Sequence, residues 1–360
     1  MPQALCYTGG SLVRDHQLIK EDLWVKAGKI VPPQSHADQV VRLEGKIIAP
    51  GYIDIQINGG FGVDFATMQE PLDTFAAKLK KTGVLHFLPT LISSPLEQYR
   101  MWRSYYGNHP AILGVHLEGP FLNRDKAGAH SKKSILPISQ ETVAEALEGA
   151  KLVTLAPEIP NAFPLIKQLT AKGVIVGAGH TVATYEEGMR AFDAGVKLAT
   201  HLFNAMTPVH HRQPGFAIAA LNHPNAYYSI IVDGVHVHPA MVKLAWETKP
   251  QKMILITDAM GAMGLEDGLY RLGSEMVQVT NGHAYVSGTK KLAGSVLQMD
   301  QAVRNLRAMT GCSIVEAVEA ASLRPAEFLG LAPQKGTLAL GADADLIFLD
   351  ENLNVVDVGN

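Results

Sequence analysis

Cysteine is almost missing from this chain: Cys6 and Cys312 are the only two among 360 residues, far apart and outside any C-x-x-C pattern. That excludes a disulfide framework and fits a reducing compartment, so a cytoplasmic protein is expected. An excess of one charge is missing too. Lys and Arg number 31 against 34 Asp and Glu, a net charge of -3, which leaves no basic field for a polyphosphate backbone. Nucleic acid is therefore excluded as a partner. No run approaches the roughly 20 apolar residues that a membrane span needs. The opening M-P-Q-A-L-C-Y-T-G-G lacks a basic start followed by an apolar stretch, so no secretory signal is expected. Low-complexity tracts and solenoid repeats are lacking as well. What is present is apolar material, 47% of the chain, sufficient for one large core and a smaller one.

From Tyr52 to about Thr257 two periods alternate. Short aliphatic or β-branched runs fall at Tyr52–Ile57, Val84–Leu91, Ala111–Leu117, Leu152–Ala156, Val174–Ala178, Lys197–Thr200, Tyr228–Val232 and Met253–Thr257. Between them lie segments with helical spacing, such as Leu72, Phe75, Ala76 and Leu79, then Leu165, Ile166 and Leu169, then Tyr185, Met189 and Phe192. Apolar strands alternating with amphipathic helices predict a parallel sheet covered by helices. About eight such strands predict a closed (β/α)8 TIM-type barrel, with an open doubly wound sheet as the alternative. The ends differ. Leu23–Val25, Lys29–Val31 and Val40–Leu43 are short and strand-like, and the tail G-T-L-A-L-G-A-D-A-D-L-I-F-L from Gly336 is β-like again. Residues 1–48 and 334–360 are expected to pair into a small discontinuous β-sandwich, with 49–333 forming the barrel. Ser313–Ala321 and Pro325–Leu329 look like helices that close it.

A parallel barrel builds its active site at the C-terminal ends of its strands. Polar, metal-competent residues recur at those points. Gln56 and Asn58 end the first run, Glu118 the third, His180 the fifth and His201 the sixth; Asp233 and His236 follow the seventh, and Asp258 ends the eighth. Singly, each has an ordinary alternative: a hydrogen-bonded structural histidine, a solvated Glu118, an N-cap at Asp258. Together they point to one shared site. Glu118, His180 and His201 offer the carboxylate and imidazoles of a catalytic divalent site, with a position left for water. An ion there would lower that water's pKa toward neutrality. Asp258 is placed to take the water's proton and return it to a leaving amine, which is the chemistry of C–N hydrolysis. Arg212, in V-H-H-R-Q-P-G beside His210 and His211, suits a phosphate through its planar fork, the alternative being a solvated loop cation.

The chain resembles the amidohydrolase superfamily and, within it, the N-acetylglucosamine-6-phosphate deacetylases. The resemblance runs from A-P-G-Y-I-D-I-Q-I-N-G-G through G-V-H-L-E-G-P-F-L-N, K-A-G-A-H, G-A-G-H-T, T-H-L-F-N-A-M, I-V-D-G-V-H-V and T-D-A-M to K-G-T-L-x-x-G-A-D-A-D-L. The first and last are generic to amidohydrolases, whereas H-L-E-G-P and T-H-L-F-N-A-M are specific to sugar-phosphate deacetylases. It implies Glu118, His180 and His201 as metal ligands, Asp258 as general base and then acid, and His130 as a hydrogen-bond donor to the acetyl carbonyl. Substrate contacts are implied at Ala129, Asn204, Ala205, Leu292, Ala293 and Gly294, with Arg212 and His236 on the phosphate. A phosphate site completed by a neighbouring subunit is implied too, hence a homodimer.

Many amidohydrolases carry H-x-H after the first strand and bind two metals. Gln56 and Asn58 stand there instead, and neutral amides are poor zinc ligands beside imidazole. One divalent ion per subunit is expected, zinc first, with Fe(II), Co or Mn as alternatives; Gln56 then holds water near the site or satisfies buried backbone groups. The two-metal relatives that bridge through a carbamylated lysine would need it after the fourth run, where L-A-P-E-I-P places Glu158. The expected activity is deacetylation of an N-acetylhexosamine 6-phosphate, glucosamine before its galactosamine epimer. A non-catalytic sugar-phosphate sensor and a metal-dependent deaminase are the rival readings.

Overall fold

Eight strands recur where the apolar runs predict them. The computed structural model describes residues 3–67, 72–105 and 109–359. The strands are β1 (Tyr52–Ile57), β2 (Val84–Ile92), β3 (His116–Glu118), β4 (Leu152–Leu155), β5 (Ile175–Ala178), β6 (Val196–Ala199), β7 (Tyr227–Ile230) and β8 (Met253–Leu255). They pair in parallel, each with its successor, in one eight-stranded sheet. The seam between β8 and β1 is bridged just beyond the ladder, where Asp258 N–H donates to Gln56 O at 2.9 Å and Thr257 Oγ1 to Asp54 Oδ2 at 2.5 Å. Those bonds close the barrel and dispose of the open-sheet alternative.

Helices cover the outside because their apolar positions fall on one stripe. In Tyr185–Asp193 the side chains of Ala191 and Phe192 are buried, and Thr184 and Glu187 form a capping box at its start. Ile314–Ala321 begins the same way, with Ser313 and Glu316. The third strand is shorter than the run Ala111–Leu117 predicts. Only His116–Glu118 joins the ladder, because Gly114 sits at φ +129° and turns the chain, leaving Ile112 with an isolated bridge to Phe87.

A polar layer lies inside the barrel beneath the strand ends. His116 Nε2 pairs with Thr154 Oγ1 at 2.8 Å, and Thr154 Oγ1 with Thr200 Oγ1 at 2.8 Å. Thr90 Oγ1 accepts from Ile57 N–H at 3.0 Å. Burial pushes the His116 imidazole down to about 4, so the ring is neutral, with Thr154 Oγ1 at one nitrogen and Thr90 Oγ1 3.4 Å from the other. Gly177 makes room for this layer, since a Cβ there would lie 2.8 Å from Thr200 Oγ1. The satisfied layer is rigid, and the functional side chains stand on it.

Strands from both chain ends build two further sheets around a separate core that includes Leu12, Leu23, Ile30, Ile48, Leu338 and Phe348. Among the described residues of the tail only Leu346–Leu349 and Val355–Val358 are strands; Leu346–Leu349 runs antiparallel to Ile47–Pro50. The barrel grips these sheets through His86 on β2, whose Nε2 lies 2.8 Å from Asp345, itself held by Lys335 at 2.9 Å. A three-stranded antiparallel sheet, Gly268–Leu272, Glu275–Thr280 and His283–Val286, was not anticipated. It follows β8 and packs Leu272, Val277, Val279 and Ala284 against Ile92, Met260 and Ala293 at the site end of the barrel.

Candidate active site

The strand ends converge on one carboxylate. Glu118, the last residue of β3, is 3% exposed, and its Oε1 lies 2.7 Å from His201 Nε2, 3.1 Å from His180 Nε2 and 3.0 Å from Gln56 Nε2. The two imidazole nitrogens are 3.1 Å apart. Burial alone would raise the Glu118 pKa, but the imidazoles of His130, His180 and His201 gathered at its oxygens overcome it and hold the carboxylate well below its ordinary range. Three donor atoms about 3 Å from one another approximate one face of a tetrahedron, whose edge is about 3.3 Å for metal–ligand bonds of ~2.0 Å. The residues fit a divalent metal.

The tautomers separate ligands from neighbours. His180 Nδ1 lies 2.7 Å from the Lys126 carbonyl, so that nitrogen carries the proton and the Nε2 lone pair faces Glu118. His130 is the reverse. Its Nδ1 accepts from Ser93 N–H at 3.0 Å, which leaves the proton on Nε2, 3.4 Å from Glu118 Oε2. Glu118, His130 and His180 also have donor atoms within 4.8 Å of one another. His201 is nevertheless the better third ligand: it is nearer, and the His130 nitrogen aimed at the centre holds a hydrogen. Burial, helped by the His180 ring, pushes His130 down to about 4, so it is a neutral donor near pH 7.

Asp258 faces this cluster from the end of β8. Its Oδ1 accepts from Asn58 Nδ2 at 2.8 Å and Gln56 Nε2 at 3.3 Å. Burial, and then the Glu118 charge, raise it to about 6. Gln56 Oε1, Asn58 Oδ1 and His201 Nδ1 are buried acceptors or donors with no hydrogen-bond partner among the described residues, as expected of a pocket built to hold something more. His180, His201 and Asp258 all stand in the left-handed region, at φ +47°, +36° and +47°, which non-glycine residues rarely adopt.

A cavity of about 310 Å³ opens above them, lined also by Asn58, His130, Asn204, Ala205, His236, Leu292 and Gly294. Ala129 lines it beside His130. Ala293 does not: its methyl is buried with Leu272 and Val277, and its N–H bonds to Ala284 O. Gln56 does not line the cavity either; it bonds to Glu118 and Asp258, which do. His236 is fixed by Asp233, with Nδ1 at 2.6 Å from Oδ2, and that pairing outweighs burial to keep the Asp233 carboxyl below its ordinary range. Arg212 is not brought in; it is exposed, with Nη1 2.8 Å from its neighbour His211. Sequence reasoning missed Lys126 and Lys291, both lining the cavity, and Ser93, which sets the His130 tautomer. Lys126 lies inside K-A-G-A-H, four residues before His130, and was there to be noticed; Ser93 carries no sequence signal.

The amidohydrolase family profile matches residues 47–359. An N-acetylglucosamine-6-phosphate deacetylase from Danio rerio is 41% identical over 372 residues, covering 96% of this chain and 92% of the relative. Among solved structures, an aspartate-to-alanine variant of the Mycobacterium smegmatis N-acetyl-D-glucosamine-6-phosphate deacetylase, in complex with N-acetyl-D-glucosamine-6-phosphate, superposes with a TM-score of 0.90 at 33% identity. It covers 100% of this chain and 98% of its own. The Thermotoga maritima deacetylase gives 0.90 at 36%, covering 99% and 98%. With a family profile over most of its length and full-length relatives at this identity, the chain belongs to the amidohydrolase family.

Proposed function

We propose that this protein hydrolyses the acetamide of N-acetyl-D-glucosamine 6-phosphate, yielding acetate and D-glucosamine 6-phosphate. The observation that carries the reading is a single buried donor set, Glu118, His180 and His201, facing a cavity shared with Asp258 and a neutral His130. Full-length similarity to deacetylases of that substrate supplies the substrate class.

One divalent ion per chain, zinc by our reading of the N2O donors, would polarise the acetyl carbonyl and activate a water when bound. The chain's own residues do the rest. Asp258 accepts a proton from the attacking water as its oxygen bonds to the carbonyl carbon. His130 donates its Nε2–H to the carbonyl oxygen as charge develops there. The C–N bond then breaks and Asp258 passes its proton to the departing nitrogen. Gln56 and Asn58 donate to Asp258 and hold it toward the cavity. Asn204, Ala205, Leu292 and Gly294 form the walls that seat the sugar.

The phosphate reading assigns His236, braced by Asp233, to the same chain's cavity. Arg212 lies outside that cavity, so in our reading it serves the site of a second copy in a homodimer. Among the described residues no helix is long and apolar enough to cross a membrane. Both cysteines are buried and unpaired, in keeping with a cytoplasmic enzyme.

The test is acetate release from N-acetylglucosamine 6-phosphate, its unphosphorylated parent and the galactosamine epimer, with metal content determined on the same sample. Release from the glucosamine phosphate alone, with about one metal per chain, supports the whole reading. Equal rates on the unphosphorylated sugar remove the phosphate site, and preference for the epimer reassigns the substrate.

A further inference from the structure

His180 adopts a left-handed backbone, φ +47°, and a non-glycine residue stays there only when its surroundings hold it. The holding group is one carboxylate outside the cavity. Glu158, in the turn after β4, accepts three hydrogen bonds. Thr181 Oγ1 donates to its Oε2 at 2.5 Å, and Val182 N–H donates to Oε1 at 2.8 Å. These are the two residues directly after His180. Asn123 Nδ2 donates to Oε1 at 2.8 Å.

The Asn123 bond reaches His180 from the other side. Asn123 Oδ1 caps the short turn Arg124–Lys126 by accepting from Asp125 N–H at 2.9 Å. That turn ends in the Lys126 carbonyl on which His180 Nδ1 rests, 2.7 Å away. Asn123 N–H also bonds to His180 O at 3.0 Å. Glu158 therefore laces the segment after β3 to the segment after β5, and both contacts that orient the His180 ring and backbone pass through residues it holds. It makes no contact of its own with the donor cluster and is absent from the cavity lining.

We propose that Glu158 is a positioning residue for His180, setting the direction of its Nε2 lone pair and so the affinity of the site for a divalent metal. This rests on the metal reading of Glu118, His180 and His201. Partners that orient a ligating histidine are worth about 10–100-fold in metal affinity. A carboxylate suits the place because all three groups facing it are donors, and Thr181 Oγ1 already accepts from Ala183 N–H at 2.9 Å, so its own hydrogen needs an acceptor.

The experiment is zinc(II) binding to metal-stripped protein in competition with a chromophoric chelator, alongside the thermal midpoint of the metal-free form. Glu158→Ala is expected to weaken zinc by about 10–100-fold, with the metal-free midpoint lowered by no more than several degrees as the brace on His180 is lost. Thr181→Val removes one of the three bonds and is expected to weaken zinc less. In the double variant Thr181→Val adds little, because both changes break the same link. Affinity within about twofold of wild type in Glu158→Ala, or in Thr181→Val should the first variant not fold, overturns the proposal. Those results beside metal-dependent deacetylation by the wild type overturn it alone. A wild type that binds no zinc overturns both it and the metal reading.

Discussion

Asp258→Asn isolates the proposed proton carrier. Asparagine matches aspartate in shape and is among the few residues that tolerate a left-handed backbone, so φ +47° at this position is kept. Its Oδ1 can still accept from Asn58 and Gln56, now at 2.8 and 3.3 Å, and the backbone bonds to Gln56 O and from Ser295 N–H are untouched. Only the capacity to take a proton is lost. General acid–base assistance contributes about 10²–10⁴-fold, and Asp258 is asked to act twice, as base and then as acid. A fall in kcat near 10⁴-fold is expected, about 5.4 kcal/mol of barrier at 1.36 per decade, with KM within a few-fold. Acetate release with full kinetics on metal-loaded protein is the assay. Burial raises the wild-type carboxyl to about 6, and a cation beside it would pull that value down. The base form is the deprotonated one, so wild-type kcat should rise with pH along a limb at or below about pH 6 and then level off; the variant should lack the limb. A variant retaining more than a tenth of wild-type kcat would refute the acid–base role.

Arg212→Ala should raise KM for the phosphorylated sugar by about tenfold or more, consistent with a lost charge-assisted pair, while kcat and metal content hold. An unchanged KM removes Arg212 from the phosphate site. Gly128→Ala should lower metal affinity, because Gly128 sits at φ +57° and a Cβ there would lie 3.0 Å from His180 Cε1; chelator competition reads it directly, and unchanged affinity would show that the ring yields freely. Burial opposes ionisation of Asp345, yet the His86 hydrogen bond and Lys335 hold its pKa at about 2. A depressed carboxyl stabilises the fold above its unfolded value of about 3.9 and loses that contribution as pH falls toward 2. Asp345→Asn should therefore cost on the order of 1 kcal/mol at pH 7, after allowance for solvent screening, and much less near pH 2, as read from urea midpoints.

The barrel was legible because its strands are buried on both faces and so appear as apolar runs. The first run matches its strand, and six of the others needed only a shift of one or two residues, mostly where the chain leaves the ladder to enter the site. The third failed at Gly114, whose effect on direction no hydrophobicity pattern records. The sheet over residues 268–286 carried a readable signal that was passed over: Val277 and Val279 alternate with Gln278 and Thr280, and Asn281-Gly282 forms the hairpin tip. Glu118, His180, His201 and Asp258 could be singled out as one group because a parallel barrel brings all strand ends together. Arg212 could not be placed, since an exposed loop cation is fixed by its surroundings and not by its spacing. Glu158 was legible only as the absence of a lysine. Its work depends on three loops meeting, and each loop is ordinary by itself.

The three left-handed residues explain how strand ends become a site. Along a strand, side chains alternate inward and outward, so a chain leaving β5 or β6 in extended form would carry its next inward group well past the rim. A left-handed residue turns the backbone away while keeping its own side chain over the barrel axis. Each such residue costs about 1–3 kcal/mol, and the surrounding bonds offset it. His201 N–H is held by Ser229 Oγ at 2.9 Å, Asp258 N–H by Gln56 O at 2.9 Å, and the residues after His180 by Glu158. Every one of these braces comes from the neighbouring strand or the loop beyond it. The barrel therefore does more than gather the functional groups: each strand end fixes the strained turn next to it, and the donor atoms are left about 3 Å apart, close to the spacing a metal ion requires.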